Sequence, residues 1–306
     1  MTVGLFSGVG LLAGCFVALS FTAGCAGSDS ERSNAGIVWG GDGGIEAMNL
    51  DGSGRRRVAP RLGDGQGSPA WSRDGRAIAF YVRNSDSVEI HVLWPEKGVR
   101  RVVTSDWRSP APPRRQFAYI LQPNWAPDGD HLAVSDSWTL ANASIRIVSV
   151  SARRWTSVTS PSSRQSDTEP AWSPDGRRIA FVRDRIRPDY AEAIGPSVIF
   201  LIGRDGSGLR RLTRGRSPSW SPDDPSIVYV SGDSIYRVGA DGRGRTRIIG
   251  GLKALQVRWS PDGRKLLYTT LVGAGLTDVW VMDRDGTNRR RILRSKYIRG
   301  VDWQPG

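Results

Sequence analysis

The chain has 306 residues, with 43 Lys and Arg against 30 Asp and Glu, a formal charge of +13, two His and two Cys. Both cysteines, Cys15 and Cys25, precede residue 30, so the body has no thiol for a disulfide, a metal site or a nucleophile. Length alone suggests about two domains, but all-β barrels and propellers reach this size as one.

The chain opens on an uncharged, apolar stretch, residues 2–28, long enough for a signal-peptide core and nearly long enough to span a bilayer. It ends in Thr22-Ala23-Gly24-Cys25, followed by the polar AGSDSERSNAG. Small residues before a cysteine and a polar spacer after it resemble a bacterial lipoprotein signal. That resemblance implies cleavage before Cys25 and lipidation of that residue. The exported body would then be held on the extracytoplasmic side of the membrane, periplasmic or at the cell surface. Leu12-Ala13-Gly14-Cys15 fits the lipobox pattern more closely. However, more apolar residues follow it and it leaves a short apolar core, so Cys25 is the expected site. An uncleaved signal anchor and simple secretion are the alternatives. The expected organisation is a signal over 1–24, a flexible tether over 25–36 and a folded body over 37–306.

The body is one unit used six times. A first block recurs as PAWSRDGRAIAF (69–80), PNWAPDGDHLAV (123–134), PAWSPDGRRIAF (170–181), PSWSPDDPSIVY (218–229) and VRWSPDGRKLLY (257–268), with a truncated copy, VDWQPG, at 301–306. The six Trp lie 39–54 residues apart, the length of a four-stranded propeller blade. A second block alternates with the first: IEAMNLDGSGRRRV (45–58), EIHVLWPEKGVRRVV (89–103), IRIVSVSARRWTSV (145–158), IFLIGRDGSGLRRLT (199–213), IYRVGADGRGRTRI (235–248) and VWVMDRDGTNRRRIL (279–293). Short alternating apolar runs around Asp-Gly pairs predict β-hairpins. Each blade is therefore strand A around Trp, a turn, strand B, strand C, a second turn and strand D. The last blade is split, with strand A around Trp303 and strands B to D at 37–58. The expected fold is an all-β, six-bladed propeller of four-stranded antiparallel sheets, closed by strands from both termini.

The repeated PxWSPDGxxIAF and DGSxxRRLT patterns, covering nearly all of 37–306, resemble the TolB-like family of WD-repeat-like propellers. The family includes a periplasmic protein that binds partner proteins and peptides, and its repeats also form non-catalytic domains attached to serine peptidases. The resemblance implies a binding scaffold, while the fold itself hosts many activities. Between the expected signal and the first strand lies the 25–36 spacer, so the separate α/β domain of TolB is not expected here.

Within the repeats, the Trp residues read as inter-blade core, and the Asp-Gly pairs, Asp283-Arg284-Asp285-Gly286 included, as turns rather than calcium loops. Much of the basic excess falls in strand D, the outer edge, where charge discourages edge-to-edge pairing. The A–B and C–D connections, uniformly short, share one face. The D–A and B–C connections share the other and hold the long insertions at 104–121, 159–168, 183–197 and 270–277. Long loops on a rigid scaffold are where function concentrates. The candidate binding patch is therefore Trp107, Arg108, Arg114, Arg115, Trp138, Arg183, Arg185, Arg187 and Tyr190, because Arg and aromatic residues anchor interfaces.

The expected partner is an envelope protein or peptide, with anionic glycan or lipid head groups as further candidates and no nucleic acid. No oligomer is needed to close a propeller, so a monomer is expected. No metal or cofactor is expected, and GxSxG, HExxH and P-loop motifs are absent, so the expectation is a non-enzyme. The alternative is a carbohydrate-binding or polysaccharide-cleaving propeller. For cleavage, Glu169 and Asp302, at strands A of blades 3 and 6, are the nearest carboxylate pair.

Overall fold

Alternating apolar residues on short strands form six antiparallel sheets of four strands, one of them with a short fifth strand paired to its second, among the described residues of a computed structural model, which describes 36–305 except 86, 104–121, 137–141, 188–191 and 274. The strands of the closing blade are β1 (Gly36–Gly41), β2 (Gly44–Met48) and β3 (Arg56–Pro60). Blade 1 is β4 (Gly65–Trp71), β5 (Ile78–Arg83), β6 (Val88–Trp94) and β7 (Val99–Val102). Blade 2 is β8 (Asn124–Trp125), β9 (His131–Asp136), β10 (Ser144–Ser149) and β11 (Trp155–Ser157). Blade 3 is β12 (Gln165–Trp172), β13 (Arg178–Arg187), β14 (Glu192–Ala193), β15 (Val198–Gly203) and β16 (Arg210–Arg214). Blade 4 is β17 (Arg216–Trp220), β18 (Ser226–Ser231), β19 (Ser234–Gly239) and β20 (Thr246–Ile249). Blade 5 is β21 (Ala254–Trp259), β22 (Lys265–Gly273), β23 (Leu276–Asp283) and β24 (Arg290–Lys296). The last strand, β25 (Val301–Gln304), pairs with β1, so that Trp303 faces Ile37 and the first and last strands share one sheet as expected.

The core is a ring of inter-blade layers. Successive strand residues point to opposite faces, so Ala79 packs towards blade 2 while Ile78 and Phe80 pack towards the closing blade. Each pair of neighbouring blades encloses one apolar cluster, and Trp71, Trp125, Trp172, Trp220, Trp259 and Trp303 each sit in one of them. Both faces of every sheet are covered, which explains the near-continuous apolar runs of strands B and C.

The A–B turns are held by local polar contacts. In blade 3, Ser173 Oγ donates to Asp175 Oδ1 and accepts from Arg178 N at 2.9 Å, while Asp175 Oδ1 accepts from Arg177 N at 3.0 Å. Ser72 with Asp74 and Ser260 with Asp262 repeat the arrangement. Gly176 closes the turn at φ 67°, a conformation that disfavours a Cβ. The Asp-Gly residues are thus turn formers, and no group of three or more His, Cys, Asp or Glu among the described residues is placed to hold a metal.

Three of the segments read as loops are partly strand, 159–168 because β12 already begins at Gln165. β13 runs on to Arg187 and is paired by β14, and β22 and β23 pair as far as Gly273 with Leu276. The alternation simply continues beyond the blade: Ile186 is buried between exposed Arg185 and Arg187.

Candidate functional site

Strand A is the innermost strand of each blade, and its residues wall a central channel. The residue immediately before Trp is Ala70, Asn124, Ala171, Ser219, Arg258 and Asp302 in blades 1 to 6. Their contacts alternate around the ring. Asp302 Oδ2 accepts from Trp71 N at 2.9 Å, Asn124 Oδ1 from Trp172 N at 2.7 Å, and Ser219 Oγ from Trp259 N at 3.1 Å. In the other three junctions the indole donates instead: Trp125 Nε1 to Ala70 O and Trp220 Nε1 to Ala171 O, both at 3.0 Å, and Trp303 Nε1 to Arg258 O at 3.3 Å. A polar side chain is therefore needed only ahead of the Trp of even-numbered blades, and Ala suffices ahead of those of odd-numbered blades. Arg258 breaks that rule, since it stands where the two other odd blades carry Ala.

The two ends of the channel differ. The end with the A–B turns, about 190 Å³, is ringed by the Trp side chains and by Pro127, Pro174, Pro222, Pro261 and Pro305. The opposite end, about 350 Å³, opens on the face of the long connections and is lined by Tyr81, Glu169, Ser217, Arg299 and others. Asn124, Arg258 and Asp302 line both cavities and form the waist between them. A volume near 350 Å³ lies at the lower end of small-ligand sites.

Arg258 is partly buried at this waist, and among the described residues only its Nη1 has protein acceptors, Ser217 Oγ at 3.4 Å and Val257 O at 3.1 Å. Burial pulls its pKa below the usual guanidinium value, against the attraction of Asp302 and Glu169. Burial pushes Asp302 up to about 6, with Arg258 and the Trp71 and Trp303 amides opposing. Burial also raises Glu169, opposed by the amide of Ser217, by Arg258 and by Arg216, while Asp184 adds to the rise. Glu169 sits at φ 52° in a bulged strand A, a conformation shared by Ser68 and Ser217 three residues before their Trp. Non-glycine residues at positive φ store strain that the surrounding fold must hold. The ensemble is a guanidinium with uncommitted donors between two carboxylates that are easily protonated. It can pair with a carboxylate or carbonyl through Arg258 and with an amine or hydroxyl through Glu169 and Asp302.

The sequence reading had singled out Glu169 and Asp302, and the structure puts both in the channel wall. It missed Arg258, whose signal was present: a charged residue at a repeat position that is otherwise Ala in odd blades. Of the rim patch, Trp107, Arg108, Arg114, Arg115, Trp138 and Tyr190 lie outside the described residues, as does Cys25. Arg183, Arg185 and Arg187 alternate along β13 and so share one face. Arg183 turns inward, its Nε and Nη2 donating to Asp167 Oδ1 and Oδ2 at 2.6 and 2.7 Å, over the rings of Phe181 and Phe200. Asp167 is wholly buried, so this arginine locks blade 3 together, while Arg185 remains exposed at the rim.

No family model matches the chain. Among curated proteins it is 29% identical over 200 residues to the uncharacterized protein Atu1656 of Agrobacterium fabrum, covering 60% of each chain. It is 30% identical over 137 residues to the uncharacterized peptidase YuxL of Bacillus subtilis, covering 40% of this chain and 20% of that protein. The chain thus spans less than two thirds of either relative. Among solved structures, TolB from Acinetobacter baumannii superposes with TM-score 0.69 at 20% identity, over 89% of this chain and 66% of that one. The fold is that of the TolB propeller. A putative TolB from Agrobacterium tumefaciens agrees, with TM-score 0.64, 21% identity, and coverage of 89% and 98%. The TolB likeness expected from the repeats is therefore found in three dimensions. No helix among the described residues is long and apolar enough to cross a membrane.

Proposed function

We propose that this chain is a non-catalytic binding module of the bacterial cell envelope, tethered through lipidated Cys25, that takes a protein or peptide segment on its long-connection face. The observation that carries this reading is the asymmetry of the channel. Its long-connection end is the larger, and at its waist Arg258 keeps donors free between Glu169 and Asp302. Peptide groups are complementary to that set, with carbonyls or a chain-end carboxylate for the arginine and amines for the acids. Arg185 and the rim residues Trp107, Arg108, Arg114, Arg115, Trp138 and Tyr190 would extend the contact outward.

The raised carboxylates favour one second reading, the cleavage or binding of an anionic polysaccharide in the same channel, since a general acid needs a raised pKa. The test is crosslinking in intact cells with the full chain tagged at Gly306, followed by mass spectrometry, in wild type and Arg258→Ala. A protein partner recovered by the wild type and lost in the variant, together with a lipid-modified Cys25 peptide, is the expected result. Recovery unchanged by Arg258→Ala would remove the channel from the interface. Oligosaccharide turnover abolished by Glu169→Gln would replace the binding reading by the catalytic one.

A further inference from the structure

On the outer circumference, far along each blade from the channel strand, blades 3 and 5 carry matching arginines on strand D but differ in the strand C residue opposite them. In blade 5, strand D carries Arg291 and Arg294, and both are neutralised by one carboxylate on strand C. Arg294 donates to Asp278 Oδ1 and Oδ2 at 2.6 and 2.8 Å, and Arg291 Nη1 lies 3.5 Å from the same group. In the sheet register Asp278 stands opposite Arg294. Blade 3 keeps the two arginines, as Arg211 and Arg214, but the residue opposite Arg214 is Val198. The carboxylate is missing and the charges remain.

A third guanidinium joins them from the next blade. Arg245 is held in place by Tyr229 Oη, which accepts from its Nε at 2.8 Å, and by stacking on Tyr236 at 3.8 Å. Arg211, Arg214 and Arg245 line one open cleft of about 620 Å³ between blades 3 and 4, completed by Leu212 and the hydroxyls of Thr213 and Ser231. Among the described residues no acid lines it, and none of the three arginines has a carboxylate within ion-pair distance. Three like charges in one cleft repel in the absence of an anion and attract one when it is present. Guanidinium forks from two blades lining one cleft suit a tetrahedral oxyanion, with hydroxyls beside them.

We propose that this cleft is a phosphate-binding site, recognising a phosphate group either free in solution or on a lipid head group. It is independent of the channel and of the proposed partner. The missing carboxylate supplies its own test. Val198→Asp restores the blade-5 arrangement without removing any arginine, and Val198→Asn matches it in size without the charge.

The full chain and both variants would be titrated with inorganic phosphate in chloride buffer, followed by phosphorus NMR line broadening. They would also be floated with phosphatidylglycerol or phosphatidylcholine vesicles. Wild type and Val198→Asn are expected to bind alike, and Val198→Asp about fivefold or more weakly. Arg214→Gln serves as a second variant of the same sign, with thermal unfolding as the control for folding. Charge-dependent binding to inorganic phosphate assigns the site to free phosphate. The same dependence seen only on phosphatidylglycerol vesicles assigns it to a head group. Equal binding by wild type and Val198→Asp in both assays, or no binding by the wild type in either, overturns the proposal.

Discussion

The two ends of the central channel are built from the same six strands, yet they are made of different materials. At the short-turn end, large rings and prolines pack against one another, with serine and aspartate tying the turns of blades 1, 3 and 5 to their own backbone. At the other end and the waist, the lining includes Glu169, Arg258, Asp302 and Arg299, and the backbone of strand A bulges into positive φ. The first end uses its residues to hold blades together. The second carries charge that the blades do not need, since Ala70 and Ala171 fill the position of Arg258 in the other odd blades. A repeat protein thus marks its own function, because positions that obey the repeat serve the fold and those that depart from it need another explanation.

The comparison breaks most visibly at the Trp end if those rings are not structural. Trp303, almost wholly buried beside the strand that closes the ring, is expected to cost about 3–5 kcal/mol when replaced by Ala, read from urea unfolding. A loss below about 1 kcal/mol would mean that closure does not depend on it.

At the waist the expected effect has the opposite sign. Asp302 has a folded pKa of about 6 against an ordinary value of 3.8. Its protonated form is thus favoured by folding, and its contribution to stability is full below about pH 4 and lost as pH rises through 6. Asp302→Asn keeps an acceptor for Trp71 N, as Asn124 does for Trp172 N, and removes the charge. At neutral pH it is expected to stabilise the fold by up to about 3 kcal/mol, and to flatten the stability profile between pH 4 and 6 in denaturant melts. A profile as steep as that of the wild type would place the titration elsewhere. Glu169 shifts in the same direction for the same reason, so the double variant Asp302→Asn with Glu169→Gln should be flatter still.

Smaller again is the turn chemistry. Ser260→Ala removes the acceptor for Lys265 N and the donor to Asp262, and is expected to cost about 1 kcal/mol by thermal or urea unfolding. Binding on the opposite face should be unchanged. A change in binding there would show that the two ends are coupled.

The number of blades, their strand order, the split last blade and the burial of the Trp ring were all legible in the sequence. Each rests on local signals repeated six times: alternation, Asp-Gly turns and Trp spacing. The extended strands at Arg183–Arg187 and 270–273 were misread as loops because polar residues alternating with one apolar residue, as around Ile186, look like loop composition. The role of Arg183 was equally hidden, since its partner Asp167 lies 16 residues away and meets it only through the pairing of β12 with β13.

Sequence by itself thus determined the architecture, since a blade is a short-range object whose strands are neighbours along the chain. Tertiary structure alone decided which charges are neutralised and which remain free. Asp278 quenches two arginines in blade 5, whereas Val198 leaves their counterparts unpaired beside Arg245 of the next blade. Arg258 faces carboxylates contributed by blades 3 and 6. The first of these depends on strand register within a blade, and the groupings around Arg245 and Arg258 on distances between blades, set by ring closure and packing.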